Sequence, residues 1–380
     1  MRRIREKHHW EGNVDFWVST LSELDSATKE SVNQILEFLS FIPKATNLME
    51  KILISKDFRS LRVDEILLEE IARKPIIAID SSISPMVRVG AHFFTIISAS
   101  IVYFENGKAK PSKNLIVKLI RVPELGRIEY VKKETLLRMF ELEAEALEKA
   151  TQKIDGGAIF IDGPLVDPPK FVVGGELRKA YENYVSRRAR AIARAKRKNV
   201  LLIGITKRIL GNHLVSNFKQ LLKDFPWMND HTFVTLIFSY IARRILRDSD
   251  ISYYLLTKPL ELSHEKTDYR LYKEYGSGKI FYSYACLNPQ RFRGKIIGVE
   301  SPAEADKVSD IFRIAMHYSI YWTYPGMNVP LPVILAHKTC TIRKRTARKI
   351  LRELISRYIS ETLSGEDTYY ISLITQRFIE

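Results

Sequence analysis

The chain of 380 residues carries 60 lysines and arginines against 44 aspartates and glutamates, a formal net charge of +16, and 46% of its residues are hydrophobic. This balance excludes a disordered chain and indicates a globular protein with a full core, as one large domain or two ordinary ones. The basic surplus indicates a polyanionic partner, although a charge-rich surface alone would also explain it; the clustering of the basic residues favours nucleic acid.

The cysteines and the apolar segments narrow the class of protein further. Cys286 and Cys340 are the only cysteines and form no CxxC pair, so reduced thiols of a cytoplasmic protein are expected rather than a zinc site or a disulfide. The charged N-terminus is not followed by a long apolar region, which argues against a signal peptide. The longest apolar stretch, residues 93–104, is too short to span a membrane.

The predicted elements begin with helices and then change to strands. Apolar residues recur near helical spacing over residues 15–70, which predicts an N-terminal helical extension covering residues 1–70. Strands are predicted at residues 76–80, at residues 92–104 (as one long strand or two) and at residues 115–120.

The rest of the chain alternates between helical and strand patterns. Helices are predicted at residues 133–151, 175–198, 233–247, 303–318 and 343–359. Strands are predicted at residues 158–162, 200–205, 253–256, 280–285 and 333–336. The alternation predicts one α/β domain built on a mixed sheet, residues 71–380.

Two of the apolar strands run directly into an aspartate. The sequence PIIAI precedes Asp80, the sequence AIFI precedes Asp162, and small residues follow each of them. Either aspartate alone is more often the cap of a turn or a helix. Because two buried strands from distant parts of the chain can bring their ends together, the pair predicts a site for a hard divalent cation and metal-assisted phosphoryl chemistry.

A third carboxylate is expected from the helix predicted between these strands. Four glutamates lie on it, and its apolar residues recur at spacings of three and four. A metal ligand should lie at the border of the buried face, which favours Glu141 or Glu143 over Glu145. At least two of the four glutamates must be solvated surface charges.

Two further polar residues follow apolar runs. Lys207 can hold a phosphate or neutralise charge in a transition state, and it can equally be an ordinary lysine at the end of a strand. His337 follows the sequence LPVILA, where a histidine is more often structural than catalytic.

Basic residues cluster at residues 187–198, 243–247 and 343–352. Their density suits contact with a phosphate backbone without reading of the bases, and a membrane-surface role is less favoured. The sequence contains no GxxxxGK[ST], GxGxxG or GxSxG motif, so the chain is not expected to hydrolyse ATP.

The order of these motifs resembles the NurA nuclease family of archaea and some bacteria. The resemblance covers residues from about 75 to 342 and is carried by IDSS, RVG, a glutamate-rich helix after LLR, FIDGPL, TK and PLPVILAH. It implies an RNase H-like core related to the Piwi domain. It also implies a manganese-dependent nuclease (magnesium being an alternative) that acts on single- and double-stranded DNA as a 5′ to 3′ exonuclease and single-strand endonuclease.

Partners and residue roles follow from the same resemblance. It implies a homodimer that works with a hexameric HerA-type translocase in the end resection of DNA double-strand breaks. Asp80 and Asp162 match the metal-binding aspartates of the family, Glu141 best matches its helix carboxylate, and His337 matches its C-terminal histidine. In this hypothesis Lys207 and His337 position the phosphate or assist proton transfer.

Two positions depart from the family pattern, and two alternative functions stay open. Val329 stands where the family often has tyrosine, and Pro164 stands where it often has serine; both bear on turnover and specificity more than on metal binding. The first alternative is a non-catalytic nucleic-acid-binding protein on the same fold. The second is a regulatory subunit of a DNA translocase that cleaves weakly or not at all by itself.

Overall fold

The computed structural model describes residues 28–29, 52, 57–89, 92–110, 114–123, 128–166, 177–209, 211–220, 222, 228–244, 251–262, 269–274, 276–289, 295–324 and 327–362. The chain divides into residues 1–57 and residues 58–380. Only residues 28, 29, 52 and 57 of the first unit are described, so most of the helical prediction for residues 15–70 lies outside the described residues.

A mixed β-sheet with flanking helices makes up the second unit. Its strands are β1 (Phe58–Arg62), β2 (Ile76–Ile83), β3 (Val87–Val89), β4 (His92–Glu105), β5 (Lys108–Lys110), β6 (Leu115–Pro123), β7 (Ala158–Asp162), β8 (Leu201–Thr206), β9 (Tyr253–Thr257), β10 (Leu260–Glu261), β11 (Ile280–Cys286) and β12 (Ile297–Pro302). Its helices are α1 (Glu65–Ala72), α2 (Ile128–Lys153), α3 (Leu177–Arg197), α4 (Asp230–Arg244), α5 (Tyr269–Glu274), α6 (Val308–Tyr321), α7 (Leu331–Cys340) and α8 (Lys344–Thr362), with one 3₁₀ turn at Val215–Phe218.

The described strands follow the order β1-β9-β11-β12-β8-β7-β2-β4-β3, with β10 beside β11 and with β5 and β6 beside β4. β7 pairs in parallel with β2 on one side and with β8 on the other, whereas the remaining described pairs are antiparallel. The three parallel strands are almost continuously apolar, as expected of strands that are covered on both faces. Parallel pairing brings the ends of β2, β7 and β8 to one edge of the sheet.

Side chains that alternate along each strand point to the two opposite faces of the sheet. Ile76 and Ala78 of β2 and Phe160 of β7 pack in one core with residues of α6 and α7, and each fully buried Ile or Phe contributes about 1.5–3 kcal/mol. Helix α2 packs on β2, β4 and α3. Because successive side chains point to opposite faces, Asp80 points toward α7 and Ser81 points toward α2.

Most of the predicted strands and helices in this unit are confirmed, with local corrections. Residues 58–62 form a strand rather than part of a helix, because they pair with β9. The prediction also missed β12, whose sequence IGVESP has little strand propensity. Within the described part of the chain, no helix combines the length and the apolar character that crossing a membrane requires.

Candidate metal centre

Asp80 and Asp162 lie side by side on the sheet. Ile79 of β2 pairs with Ile161 of β7 in parallel register, and the next residue on each strand is an aspartate. Both carboxylates are nearly buried, with 7% of the Asp80 side chain and 8% of the Asp162 side chain exposed. Asp80 does not end its strand, because residues 81–83 continue β2 by pairing with β4.

The strand prediction for residues 333–336 is wrong, because this segment belongs to helix α7. Its uninterrupted apolar sequence fits a buried strand or a buried helix equally well, and Pro332 is tolerated in the first turn of a helix. Helical spacing places His337 and Cys340 on one face. Both side chains reach the same oxygen of Asp80.

Two serines of β4 hold α7 against the sheet. The hydroxyl of Ser100 donates to the carbonyl oxygen of Ala336 at 2.8 Å, and that of Ser98 donates to the carbonyl oxygen of Cys340 at 2.5 Å. Both serines are fully buried, so these bonds satisfy hydroxyls that would otherwise be costly to bury. Cys340 is the last residue of α7, and its carbonyl has no donor within the helix. The serines thereby fix the helix that carries the histidine.

The imidazole of His337 bridges the two aspartates. Its Nδ1 atom lies 2.7 Å from Oδ2 of Asp80 and 3.5 Å from Oδ2 of Asp162. The thiol of Cys340 lies 3.3 Å from the same oxygen of Asp80. One ligand atom from each of Asp80, Asp162 and His337 lies within 4.8 Å of the others. Because the His337 side chain is 56% exposed, the cluster opens to solvent on this side.

The electrostatics of this cluster fit a divalent cation. Burial, together with the charges of Asp162 and Glu143, raises the pKa of Asp80 to about 6. Burial also raises the pKa of Asp162, against the opposing effects of Lys207 and His337. Desolvated carboxylates that repel each other are relieved by a bound cation, and carboxylate oxygens are the ligands that suit magnesium and manganese.

Lys207 lies at the same edge of the sheet. It follows β8, the parallel neighbour of β7, and its Nζ atom lies 2.5 Å from Oδ2 of Asp162. The lysine side chain is 36% exposed. It therefore neutralises part of the charge of Asp162 while remaining accessible from solvent.

Of the glutamates on α2, Glu143 contacts the residue next to Asp80. Its Oε2 atom accepts a hydrogen bond of 2.5 Å from the hydroxyl of Ser81, the residue after Asp80. Glu141 instead pairs with Arg138 at 3.0 Å. Two residues along an α-helix differ by about 200° in direction, so the two glutamates face nearly opposite sides. The geometry favours Glu143 over Glu141 as the helix carboxylate.

Helical periodicity alone did not choose between Glu141 and Glu143 as the helix carboxylate. The contact that decides between them comes from a helix that is distant in the sequence. Arg188 of α3 donates to Oε1 of Glu143 at 2.7 Å, and both side chains are buried. Glu145 lies 2.8 Å from both Lys118 and Lys149, so it makes surface ion pairs.

Two charged side chains that sequence analysis did not single out bind the loop after β7. Arg188 donates to the carbonyl oxygens of Pro164 at 2.6 Å and of Leu165 at 2.9 Å. Glu300 of β12 accepts from the backbone N–H of Leu165 at 2.7 Å. Arg188 was hidden within a basic cluster of the sequence, and Glu300 lies on a strand that the sequence did not predict. No local pattern distinguished either of them.

Comparisons with known proteins agree with this description. The family model described as the NurA domain matches residues 74–342. The crystal structure of the NurA nuclease from Sulfolobus solfataricus has a TM-score of 0.57 and 14% sequence identity, covering 88% of this chain and 98% of that chain. The predicted α/β architecture, a mixed sheet with flanking helices, is confirmed. A search of curated proteins gave no match.

Two other solved structures are more distant. A NurA structure bound to dAMP and manganese has a TM-score of 0.44 and 15% identity, covering 90% of this chain and 99% of that chain. Ciona intestinalis endonuclease V in complex with inosine-containing DNA has a TM-score of 0.33 and 12% identity, covering 75% of this chain and 94% of that chain.

Proposed function

The chain belongs to the NurA family of metal-dependent nucleases, and we propose that Asp80, Asp162 and His337 form the centre with which it hydrolyses phosphodiester bonds in DNA. The observation that carries this proposal is the convergence of three side chains from β2, β7 and α7, with ligand atoms within 4.8 Å of one another. A net charge of +16 suits a polyanionic substrate.

The two aspartates and the glutamate behind them supply the negative charge of the centre. Asp80 and Asp162 would hold a divalent cation, manganese or magnesium, and Glu143 adds charge from the side of α2. A cation bound there lowers the pKa of a coordinated water and neutralises charge on the scissile phosphate. Near-complete burial of the aspartates strengthens their interaction with such a cation, because little water screens them.

His337 and Lys207 lie on the accessible side of the cluster. The imidazole of His337 rests against Asp80 and is more than half exposed, so it can exchange a proton with water or with a leaving group. Lys207 lies beside Asp162 and can donate to an oxygen of the phosphate. These roles are proposals for the two residues that sequence analysis already connected with the phosphate.

Helix α8 offers the surface on which we place the DNA backbone. Its apolar side, with Ala347 and Leu351, packs against Val87 and Ile96. On its other side is a cavity of about 570 Å³, and the described residues that line it are all basic, namely Lys344, Arg345, Arg348, Lys349 and Arg352. The helix starts four residues after α7 ends, so this basic surface is connected directly to the helix that carries His337.

Cleavage of end-labelled DNA tests the proposal. The wild-type chain should degrade single- and double-stranded DNA with manganese or magnesium and not with EDTA. Asp80→Asn and Asp162→Asn should lower the rate about a thousandfold, because a metal ion contributes several kcal/mol of transition-state stabilisation. Asp155→Asn is the matched control, since this 84% exposed aspartate precedes β7 rather than following it. Full activity in either site variant refutes the centre, and DNA binding without cleavage in every metal favours a non-catalytic protein.

The finer properties that the family resemblance implies are proposals of the same kind. We propose 5′ to 3′ exonuclease and single-strand endonuclease activity, a homodimer, and a hexameric HerA-type translocase as partner in DNA end resection. Circular single-stranded DNA separates the endonuclease from the exonuclease, because only an endonuclease cuts a molecule without ends. Light scattering of the chain alone tests the homodimer, and light scattering of its mixture with the translocase tests the complex. A chain that is a monomer and does not bind the translocase would contradict both proposals.

A further inference from the structure

The loop after Asp162, residues 163–166, folds back across the neighbouring strand. Gly163 has a φ of 142°, which favours glycine, and its N–H donates to the carbonyl oxygen of Ile161 at 3.0 Å. The loop passes so close to β8 that a Cβ on Gly204 would lie 2.9 Å from the carbonyl oxygen of Gly163. The position of Asp162 is therefore tied to the position of this loop.

Arg188 holds the loop from the side of α3. It is 2% exposed, and its Nε and one terminal nitrogen donate to the carbonyl oxygens of Leu165 and Pro164. Its other terminal nitrogen donates to Glu143. The planar guanidinium thus connects the loop and the helix carboxylate through a single rigid group.

Glu300 holds the same loop from the opposite side. Its carboxylate accepts hydrogen bonds from the backbone N–H groups of Leu165 and Val166. Leu165 therefore has its carbonyl bound by a cation from α3 and its N–H bound by a carboxyl group from β12. Hydrogen bonds at both the donor and the acceptor fix this residue more firmly than either alone, and the bond from Arg188 is charge-assisted.

The same network continues to the other aspartate. Glu143 accepts from the hydroxyl of Ser81, and the N–H of Ser81 donates to Oδ1 of Asp80 at 2.7 Å. A chain of contacts therefore runs from Asp80 through Ser81, Glu143 and Arg188 to the loop that follows the second aspartate.

We propose that Arg188 is a positioning residue that sets the separation of Asp80 and Asp162 and thereby the affinity of the centre for a divalent cation. The inference rests on the proposed metal centre. Arg188 itself contacts Glu143 and the backbone of the loop, and it acts on the aspartates through them. Residues that orient metal ligands in this way typically change metal affinity about 10- to 100-fold when they are substituted.

The first experiment is a calorimetric titration of Mn²⁺ into the full chain and its Arg188→Lys variant, without DNA. Lysine keeps a positive charge beside Glu143, but a single ammonium group cannot reproduce the planar fork that reaches two carbonyls as well. We expect Mn²⁺ to bind about 10- to 100-fold more weakly. The kcat for DNA at a fixed Mn²⁺ concentration should fall, while the KM for DNA stays unchanged. Arg190→Lys, on the exposed side of the same helix, is the matched control and should bind Mn²⁺ like the wild type.

Separate outcomes distinguish positioning from a purely structural role. An Arg188→Lys variant that melts earlier yet binds Mn²⁺ and cleaves DNA like the wild type overturns the inference. If that variant does not fold, the Ser81→Ala variant tests the inference instead. It removes one contact of the network at a partly exposed residue, and Ser82→Ala is its control. Unchanged Mn²⁺ affinity in folded Ser81→Ala then overturns the inference, and weakened affinity supports it.

The titration also separates this inference from the proposed function. A wild-type chain that binds Mn²⁺ without degrading DNA refutes the nuclease and leaves the comparison with Arg188→Lys valid. A wild-type chain that cleaves DNA, beside a variant of unchanged Mn²⁺ affinity, refutes only the role of Arg188. A wild-type chain that binds no Mn²⁺ overturns both.

Discussion

Helices α3 and α8 are both rich in arginine and lysine, yet the fold uses their charges in opposite ways. On α3, Arg188 is buried against Glu143, Arg187 lies 3.5 Å from Glu148, and Lys196 pairs with a glutamate of the loop before α6. On α8, five basic side chains line one open cavity, and Lys349 has an acidic neighbour on the same helix. The sequence density of basic residues does not show which of them are available to a partner.

The difference comes from what each helix packs against. Helix α3 lies on α2 and β8, and α2 presents a row of glutamates to it. Helix α8 packs through Ala347 and Leu351 against apolar residues of β3 and β4. The buried charge of Arg188 on α3 therefore stabilises the interior, whereas five basic side chains of α8 line a cavity whose charge suits a polyanion.

The largest effect is expected from Arg188→Met, which removes the buried positive charge from α3. Glu143 is left buried without its partner, and breaking a buried pair in this way costs about 3–5 kcal/mol of the free energy of unfolding. Urea denaturation followed by circular dichroism measures the loss. The double variant Glu143→Gln/Arg188→Met should recover part of it, because no unpaired buried charge remains. A decrease below 1 kcal/mol in the free energy of unfolding of the single variant would contradict the conclusion that the buried charge on α3 stabilises the interior.

A pH-dependent decrease of up to about 3 kcal/mol in the free energy of unfolding is expected from Glu300, the carboxyl group that binds the same loop as Arg188. Burial raises the pKa of Glu300 from 4.5 to about 7, so the folded chain binds this proton more tightly than the unfolded chain. The stabilisation is complete below pH 4.5 and is lost as the pH rises toward 7, at about 1.4 kcal/mol for each pKa unit. Urea denaturation in EDTA at pH 5 and at pH 7.5 should show this decrease. Equal decreases in the wild type and Glu300→Gln would show that Glu300 does not cause it.

A smaller effect, on DNA binding rather than folding, is expected from charge reversal on α8. Lys344→Glu/Arg345→Glu/Arg352→Glu should weaken binding of a labelled DNA duplex at least about tenfold in EDTA. The slope of log affinity against log salt should fall by about 1 for each lost phosphate contact. Fluorescence anisotropy measures both quantities. Lys179→Glu/Arg190→Glu/Arg197→Glu, three exposed positions on α3, is the matched control. Equal losses of DNA affinity in the α8 and α3 variants would show that the two helices do not differ in DNA binding.

The smallest effect is expected from Arg187→Ala on α3. Its side chain is 42% exposed, and its guanidinium lies 3.5 Å from Glu148 and 4.0 Å from Glu145. Exposed pairs of this kind contribute less than about 1 kcal/mol, so the melting temperature should fall only slightly. DNA affinity should be unchanged in the same anisotropy assay. A loss of DNA affinity as large as that of the α8 variant would place the DNA on α3 instead.

The sequence was informative where a local pattern decides the structure. Asp80 and Asp162 could be singled out because each follows an uninterrupted apolar strand, and parallel pairing of such strands brings their ends together. Lys207 follows the third strand of the same kind. Their positions needed no knowledge of the helices that pack around them.

The sequence was uninformative where a distant contact decides the structure. Choosing Glu143 over Glu141 required Arg188, which lies 45 residues away on another helix. Strand β12 was missed because Gly298 weakens its strand propensity, although this glycine lies close to β8, where a Cβ would be 3.2 Å from Thr206. Helix α7 was taken for a strand because only its docking on β4 separates the two possibilities.

The hydrogen bonds that anchor α7 have a consequence for the order in which the protein is made. His337 lies 257 residues after Asp80, and the bonds from Ser98 and Ser100 to α7 span 242 and 236 residues. Because folding during translation proceeds from the N-terminus, both aspartates leave the ribosome long before the histidine. A nascent chain that has not yet reached α7 carries the acidic pair alone. The proposed metal centre is complete only when α7 docks, so on the ribosome the acidic pair exists before its histidine does.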